Sequence, residues 1–212
     1  MPISSLVTDG ARLILFAMLV VMPALAADDS PVVVTREQWG AKPPIMTMKK
    51  QTPVRLTIHH TGAAAKPRVS LANKLKSLQA FSQTDAPLDD GRIKKAWPDI
   101  PYHYYIDVNG AVGEARPVEF VGDTNTKYDP TGHITIVVEG NFDKETPTKA
   151  EIDALVGLLA SLATKYHIDV DKIGAHKQFA QTACPGKNMM ALMPEIVARV
   201  RERLGSASPH PG

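Results

Sequence analysis

The chain contains a single cysteine, Cys184, among its 212 residues. One cysteine cannot form an intramolecular disulfide, and it cannot build a zinc cluster made of cysteines alone. A chain of this length can bury a sizeable hydrophobic core in one domain or in two small ones. Its 44% hydrophobic and 22% charged residues are close to the average of globular domains. The sequence therefore predicts a domain that is stabilised by its core and not by disulfides.

The charges of the chain are nearly balanced. There are 24 Lys and Arg against 22 Asp and Glu, which gives a net charge of +2 at pH 7. Nucleic-acid-binding domains usually carry a clear basic excess, and no block of like charge forms a polybasic or acidic tail. The composition therefore argues against a protein that binds DNA or RNA.

The N-terminus has the pattern of a secretory signal peptide. Residues 13–22 (LILFAMLVVM) form an uninterrupted apolar run that follows Arg12 and precedes an A-x-A site at residues 24–26. We expect cleavage after Ala26 and export to the periplasm or out of the cell. The alternative is an uncleaved anchor, but a membrane-spanning helix needs about 20 apolar residues. We therefore expect no membrane span after cleavage.

Periodic patterns after this segment predict strands and helices. Residues 54–60 alternate between polar and apolar side chains, which predicts a strand. Residues 70–83 carry apolar side chains at helical spacing. Residues 134–139 are β-branched and apolar, as is typical of a central strand. Together these segments predict one α/β domain with a mixed sheet.

Turn and capping signals predict three further features. The dipeptide Asn109-Gly110 predicts a hairpin, the capping box at residues 148–151 opens a helix, and Pro194 and Gly205 mark the start and stop of a last helix. The predicted hairpin strands span 102–108 and 111–116, and the predicted last helix spans 194–204. We expect irregular segments at 27–53 and 85–101 and a disordered tail at 206–212.

Three places in the sequence carry residue types that commonly serve as zinc ligands. His59 and His60 end the first predicted strand, and His176 precedes Cys184 by eight residues. Two imidazoles and a thiolate are good zinc ligands, and three protein ligands leave a fourth position for water, as in catalytic zinc sites. Zinc lowers the pKa of that water toward neutrality. Coordination would also give a function to an exported cysteine that has no disulfide partner.

Each of these residues also has a purely structural interpretation. Neighbouring strand residues point to opposite faces of a sheet, so only one of His59 and His60 can face a given site. His176 could be a loop histidine that is satisfied by the backbone, and Cys184 could be a small buried apolar side chain. The spacing alone leaves both interpretations open.

Four segments, in order along the chain, match the motifs of one known family. They are residues 35–44 (TREQWGAKPP), similar to an R-x-x-W-G-A motif; 56–61 (LTIHHT), similar to a first ligand strand; 97–106 (WPDIPYHYYI), similar to W-x-D-I-x-Y-x-F; and 176–186 (HKQFAQTACPG), similar to H-x7-C-P-G. The chain resembles an exported bacterial member of the zinc-dependent N-acetylmuramoyl-L-alanine amidases, a superfamily that includes phage amidase-type lysozymes and peptidoglycan recognition proteins. The resemblance implies one amidase domain at 27–205, with helices flanking a central mixed sheet.

The resemblance also implies the reactive residues. By position, His59, His176 and Cys184 would bind Zn²⁺. Tyr102 falls on the catalytic tyrosine, whose phenol can donate a hydrogen bond to an oxyanion. Thr182 stands where the phage enzymes carry a lysine, and a threonine can donate a hydrogen bond without supplying positive charge.

Four more residues are candidates for substrate binding by position. His60 would lie on the opposite face of the sheet from His59, and Thr61 follows it. Thr124 stands where the family often has a histidine. Glu139 ends the predicted central strand and would lie near the metal if that strand runs toward it, although strand-end carboxylates are usually solvated.

The implied reaction is hydrolysis of the amide between the lactyl group of N-acetylmuramic acid and the L-alanine of the stem peptide, by zinc-activated water. The partner would be peptidoglycan or its muropeptide fragments, and the protein would be a monomer. One alternative is a catalytically inactive receptor that binds peptidoglycan, but the complete ligand set favours an enzyme. The other is a zinc peptidase that cuts within the stem peptide, and the absence of an H-E-x-x-H motif counts against it.

Overall fold

Two parallel strands, β2 (Arg55–His60) and β7 (His133–Val138), form the centre of the fold in the computed structural model, which describes residues 31–88 and 91–206. All residues of β7 are buried, as expected of a strand that is covered on both faces. The two strands pair along their whole length, from Arg55 opposite His133 to His60 opposite Val138. This pairing fixes where each side chain of β2 points.

The other strands extend this pair into a mixed sheet. The additional strands are β1 (Val33–Val34), β5 (Tyr104–Ile106), β6 (Val112–Glu114) and β8 (Ile173–Ala175). The six-stranded sheet has the order β1-β6-β5-β7-β2-β8, and the β5/β6 pair is its one antiparallel pair among the described residues. A separate short ladder joins β3 (Ala86–Pro87) to β4 (Ile93–Lys94).

Helices cover both faces of the sheet, which confirms the predicted α/β architecture. They are α1 (Arg36–Trp39), α2 (Leu71–Ser82), α3 (Lys149–Tyr166) and α4 (Lys187–Ser206). The larger core cluster joins α3 and α4 to β2 and β7. The smaller cluster joins α1 and α2 to the other face of the sheet through Trp39, Leu75 and Val137. No helix among the described residues is long and apolar enough to cross a membrane.

Four predicted strands and two predicted helices are present close to their expected bounds. β2 and β7 occupy the two predicted strands, and β5 and β6 form the predicted hairpin, with Gly110 in the left-handed region at φ 82°. The Ser70 hydroxyl caps α2 by accepting from the Asn73 N–H. Both hydrogen bonds of the predicted capping box are present between Thr148 and Glu151 at the start of α3.

The start of the last helix was predicted wrongly. α4 begins at Lys187 and not at residue 194, so Pro194 lies inside it. The buried side chains continue at helical spacing through Met189, Met193 and Ile196, and their burial outweighs the hydrogen bond that a proline removes from a helix. Ser206, the first residue of the predicted tail, belongs to α4 and is helical. Residues 207–212 and the predicted signal peptide lie outside the described residues.

Two segments that were predicted to be irregular contain short regular elements. The lead-in at 27–53 contains β1 and α1, and the Thr35 side chain caps α1 with a capping box. The segment at 85–101 contains the β3/β4 ladder. Elements of two to four residues are too short to produce a periodic pattern, which is why the sequence did not reveal them.

A buried histidine outside the predicted metal ligands couples the stability of the fold to pH. His103 is fully buried; its Nδ1 accepts from the Thr135 N–H at 2.9 Å and its Nε2 donates to the Phe120 carbonyl at 2.8 Å. Burial lowers the pKa of His103 to about 4, because the imidazolium would lose its hydration.

We expect the free energy of unfolding to fall as the pH drops from 6.5 to 4, by about 3 kcal/mol from His103 alone. The unfolded chain protonates this imidazole near pH 6.5 and the folded chain only near pH 4, so the unfolded state binds more protons between these values. The contribution is complete above pH 6.5 and is lost toward pH 4. Urea denaturation at a series of pH values, with a chelator present to keep bound metal out of the result, measures it.

Two substitutions test this assignment. His103→Asn removes the titrating group, so it should lower stability at pH 7 and flatten the pH dependence. His167 is exposed at the left-handed C-cap of α3, a conformation that asparagine tolerates, so His167→Asn should keep the wild-type slope. An equally steep curve for His103→Asn would mean that other groups set the acid dependence.

Candidate metal centre

The register of the sheet brings two of the predicted ligands together. β2 and β8 are parallel, and Ile58 is paired with Ala175. The next residue along the chain is His59 within β2 and His176 immediately after the end of β8, and their ring centroids lie 4.4 Å apart. Both side chains are buried, at 3% and 6% exposure.

Cys184 reaches the same point from the loop that follows His176. Its Sγ lies 3.7 Å from Nδ1 of His59 and accepts the backbone N–H of His60 at 3.4 Å. The ligand atoms of His59, His176 and Cys184 all lie within 4.8 Å of one another. Residues 125 positions apart in the sequence thus converge at one end of the central strands.

Two nitrogen atoms in this cluster lack a partner within the described part of the chain. Nε2 of His59 and Nδ1 of His176 are buried and make no hydrogen bond. Buried polar atoms without partners are costly and rare, and they call for an explanation such as a bound ion. Two imidazoles and a thiolate are a common zinc donor set, so the residues present fit a zinc ion.

Burial sets the protonation of the three side chains. It lowers the pKa of His176 to about 4, with His60 adding to the effect, and it lowers the pKa of His59 well below its ordinary value. Both imidazoles are therefore neutral at pH 7, which is the form that binds metals. Burial raises the pKa of the Cys184 thiol to about 12, although the N–H of His60 opposes this rise.

The two adjacent histidines point to opposite faces, as predicted. The His60 ring lies on the α3/α4 side, 6.0 Å from the ring of Phe142, and its Nδ1 accepts the Phe142 N–H at 3.3 Å. Thr61 ties the end of β2 to the end of β7, because its hydroxyl donates to the Gly140 carbonyl at 3.2 Å and accepts from the Gly140 N–H at 2.9 Å. Both predicted substrate-binding residues thus have contacts that maintain the fold.

The aromatic ring of Tyr102 lies beside the cluster. Its centroid is 5.2 Å from that of His59, and the side chain is half-buried. Burial raises the pKa of Tyr102 above its ordinary value, and nearby Cys184 adds to the rise. The phenol is therefore neutral at pH 7 and can donate a hydrogen bond.

Thr182 lies in the loop that carries the cysteine. Its hydroxyl accepts the backbone N–H of Cys184 at 3.2 Å, which shapes the turn that presents the thiol. A hydroxyl that accepts one hydrogen bond still has its own proton to donate. The position is therefore consistent with the predicted neutral donor close to the metal ligands.

Two further residues contact the cluster and were missed in the sequence. The Thr126 hydroxyl lies 2.7 Å from Nε2 of His176, and the ring of Tyr128 lies 5.0 Å from the His176 ring. Thr124 is a predicted substrate contact, and its hydroxyl is hydrogen-bonded to the Thr126 hydroxyl at 2.8 Å. No spacing rule marks a loop threonine as a partner of a histidine 50 residues away.

Glu139 lies in an environment that differs from the expected one. It is buried at 3% exposure and not solvated. Its carboxylate accepts from the Lys74 ammonium at 2.7 Å and from the backbone N–H groups of Lys66 and Val108 at 2.9 and 3.0 Å. Because these three donors occupy the carboxylate, Glu139 holds the ends of several loops together, and we do not include it in the reactive set.

Comparison with known proteins identifies relatives of the whole domain. The family model described as N-acetylmuramoyl-L-alanine amidase matches residues 49–187. Peptidoglycan-recognition protein SD of Drosophila simulans is 30% identical over 184 residues, which cover 83% of this chain and 91% of that protein. The N-acetylmuramoyl-L-alanine amidase of Homo sapiens is 28% identical over 184 residues, but these cover 82% of this chain and only 30% of the human protein.

Solved structures show the same fold. The crystal structure of Drosophila peptidoglycan recognition protein SD superposes with a TM-score of 0.67 at 29% identity, covering 78% of this chain and 95% of that one. Peptidoglycan recognition protein LE, solved in complex with tracheal cytotoxin (monomeric diaminopimelic acid-type peptidoglycan), gives a TM-score of 0.62 at 26% identity, covering 78% and 92%. The family match spans more than half of the chain and contains His59, His176 and Cys184, so this chain belongs to the N-acetylmuramoyl-L-alanine amidase family.

Proposed function

We propose that this protein hydrolyses the amide between the lactyl group of N-acetylmuramic acid and L-alanine, using a zinc ion held by His59, His176 and Cys184. The observation that carries the proposal is the cluster of three ligand atoms within 4.8 Å of one another, in which two buried imidazole nitrogens have no other partner. A zinc ion bound there would polarise the scissile carbonyl and activate water at neutral pH.

Tyr102 has the properties of a donor to the developing oxyanion. Its ring lies 5.2 Å from that of His59, and its phenol keeps its proton because burial raises its pKa. A neutral donor that is already positioned stabilises negative charge as it forms on the carbonyl oxygen. Thr182 provides a second hydroxyl next to Cys184. It contributes a dipole and no positive charge.

The proposed substrate is peptidoglycan or a muropeptide fragment. The relative described as bound to monomeric diaminopimelic acid-type peptidoglycan has the same fold as this chain, which supports a ligand of this class. We further propose that the protein acts in the periplasm or outside the cell, since the N-terminal segment has the pattern of a cleaved signal peptide. We propose a monomer as the default oligomeric state.

A receptor that binds peptidoglycan without cleaving it is the second candidate. It is favoured by the match to a recognition protein at 30% identity over most of both chains. The complete His59, His176 and Cys184 cluster argues for the enzyme, because a receptor needs binding surface but no metal-bound water. The two candidates differ in one measurable property, which is whether the wall polymer loses its stem peptides.

Digestion of purified peptidoglycan, with products read by mass spectrometry, tests the proposal. We expect the mature protein to release stem peptides that begin with L-alanine. Release should stop when the protein is treated with a chelator and resume when zinc is added back. Cys184→Ser, which replaces the thiolate ligand, should lose zinc and activity together.

The products separate the candidate functions. Peptides cut internally would identify a peptidase and contradict the amidase proposal. Intact wall that nevertheless retains the protein in a pull-down would identify a receptor. Ala183→Ser is the matched control for Cys184→Ser, because Ala183 is exposed in the same loop and offers no ligand atom; it should leave activity unchanged.

The role of Tyr102 is tested by Tyr102→Phe, which keeps the ring and removes the hydroxyl. We expect kcat to fall about 10²- to 10³-fold, as for the loss of one oxyanion donor, with KM and zinc content nearly unchanged. Tyr166→Phe on α3 is a control at a tyrosine outside the cluster. An unchanged kcat for Tyr102→Phe would limit Tyr102 to packing against His59.

A further inference from the structure

A chain of two threonine hydroxyls leads away from one of the metal-binding histidines. The Thr126 Oγ1 lies 2.7 Å from Nε2 of His176, and the Thr124 Oγ1 lies 2.8 Å from the Thr126 Oγ1. The Thr124 Oγ1 also accepts the backbone N–H of Thr126 at 3.0 Å. The hydroxyls thus connect the imidazole to the loop that joins β6 to β7.

The direction of these hydrogen bonds determines which nitrogen of His176 can bind a metal. If Nε2 carries the proton, it donates to Thr126, and the Thr126 hydroxyl then donates to Thr124. Nδ1 is left with a free lone pair, and Nδ1 is the atom that is buried without a partner. With the opposite direction, Thr126 would donate to Nε2, and Nδ1 would be a buried N–H that can neither bind a cation nor find an acceptor.

We propose that Thr126 is a positioning residue that holds His176 in the Nε2–H tautomer with Nδ1 facing His59 and Cys184, and that Thr124 supports it. This inference rests on the proposed zinc function of the cluster. Metal-binding histidines depend on the acceptor of their second N–H for tautomer and ring orientation. In this chain two neutral hydroxyls serve as that acceptor system.

Packing alone does not replace this hydrogen bond. The His176 ring is enclosed by the rings of His59 at 4.4 Å and Tyr128 at 5.0 Å. Such ring contacts restrict the tilt of an imidazole, but they do not distinguish a protonated Nε2 from a protonated Nδ1. A hydrogen-bond acceptor at Nε2 does distinguish them, and the described residues supply Thr126 there.

The test is zinc affinity, measured by competition with a chromophoric chelator. We expect Thr126→Val to bind zinc about 10- to 100-fold more weakly than the wild type, the usual effect of losing such a partner. Thr126→Ala removes the same hydroxyl without adding a methyl group and should show the same loss if the valine variant folds poorly. Thr126→Ser keeps the hydroxyl and should restore wild-type affinity. Thr124→Val should cause a smaller loss.

A spectroscopic measurement reports the coordination itself. Cobalt(II) bound by the wild type should give visible absorption bands of a thiolate-ligated tetrahedral site, and Thr126→Val should shift and broaden them. Thr164→Val is the matched control, because Thr164 is exposed on α3 and is not among the described contacts of the cluster; it should change neither measurement. Thermal melting of each variant without metal accounts for changes in folding.

The outcomes separate this inference from the proposed function. If the wild type and Thr126→Val bind zinc equally and give the same cobalt spectrum, the positioning role is wrong while the zinc site stands. If the wild type itself does not bind zinc, the proposed function fails first and the positioning role falls with it. A loss in the serine variant as large as in the valine variant would also overturn the role of the hydroxyl.

Discussion

The parallel pairing of β2 with β7 on one side and β8 on the other is the interaction on which the rest of the site depends. Because Ile58 is fixed opposite Ala175, His59 and His176 leave the sheet side by side. The alternation of side chains along β2 then directs His59 toward Tyr102 and turns His60 toward Phe142. A slip of one residue would exchange the two faces and separate the ligands.

Sequence patterns predicted the parts of the fold that local signals specify. The capping box of α3, the hairpin at Asn109-Gly110 and the apolar β7 all follow from residues that are close together in the chain. The start of α4 was missed because burial at Met193 overrides the local preference of proline. The three residues of the candidate metal site were selected through family motifs, whereas Thr126 was not, because its contact with His176 spans 50 residues.

The environment of Glu139 also depends on contacts between residues that are distant in the sequence, which local patterns do not reveal. Its position at a strand end suggested a solvated carboxylate, yet Lys74 lies 2.7 Å from it in the interior, with Asp107 3.3 Å from the same ammonium. Removing one partner of such a buried group is costly because it leaves an uncompensated charge. Lys74 therefore compensates the buried charge of Glu139 beside the end of β7, and the proposed reactive groups lie instead with the His59, His176 and Cys184 cluster.

The neutrality of the second contact of His176 has an electrostatic consequence for the proposed reaction. A carboxylate in place of Thr126 would also orient the ring, but it would raise the basicity of the imidazole and add negative charge near a carbonyl that must itself become negative. The hydroxyls of Thr126 and Thr124 fix the orientation with dipoles alone. In the proposed zinc site, the loop would orient His176, and Cys184 would be the one residue of the three-residue cluster that brings negative charge to the metal.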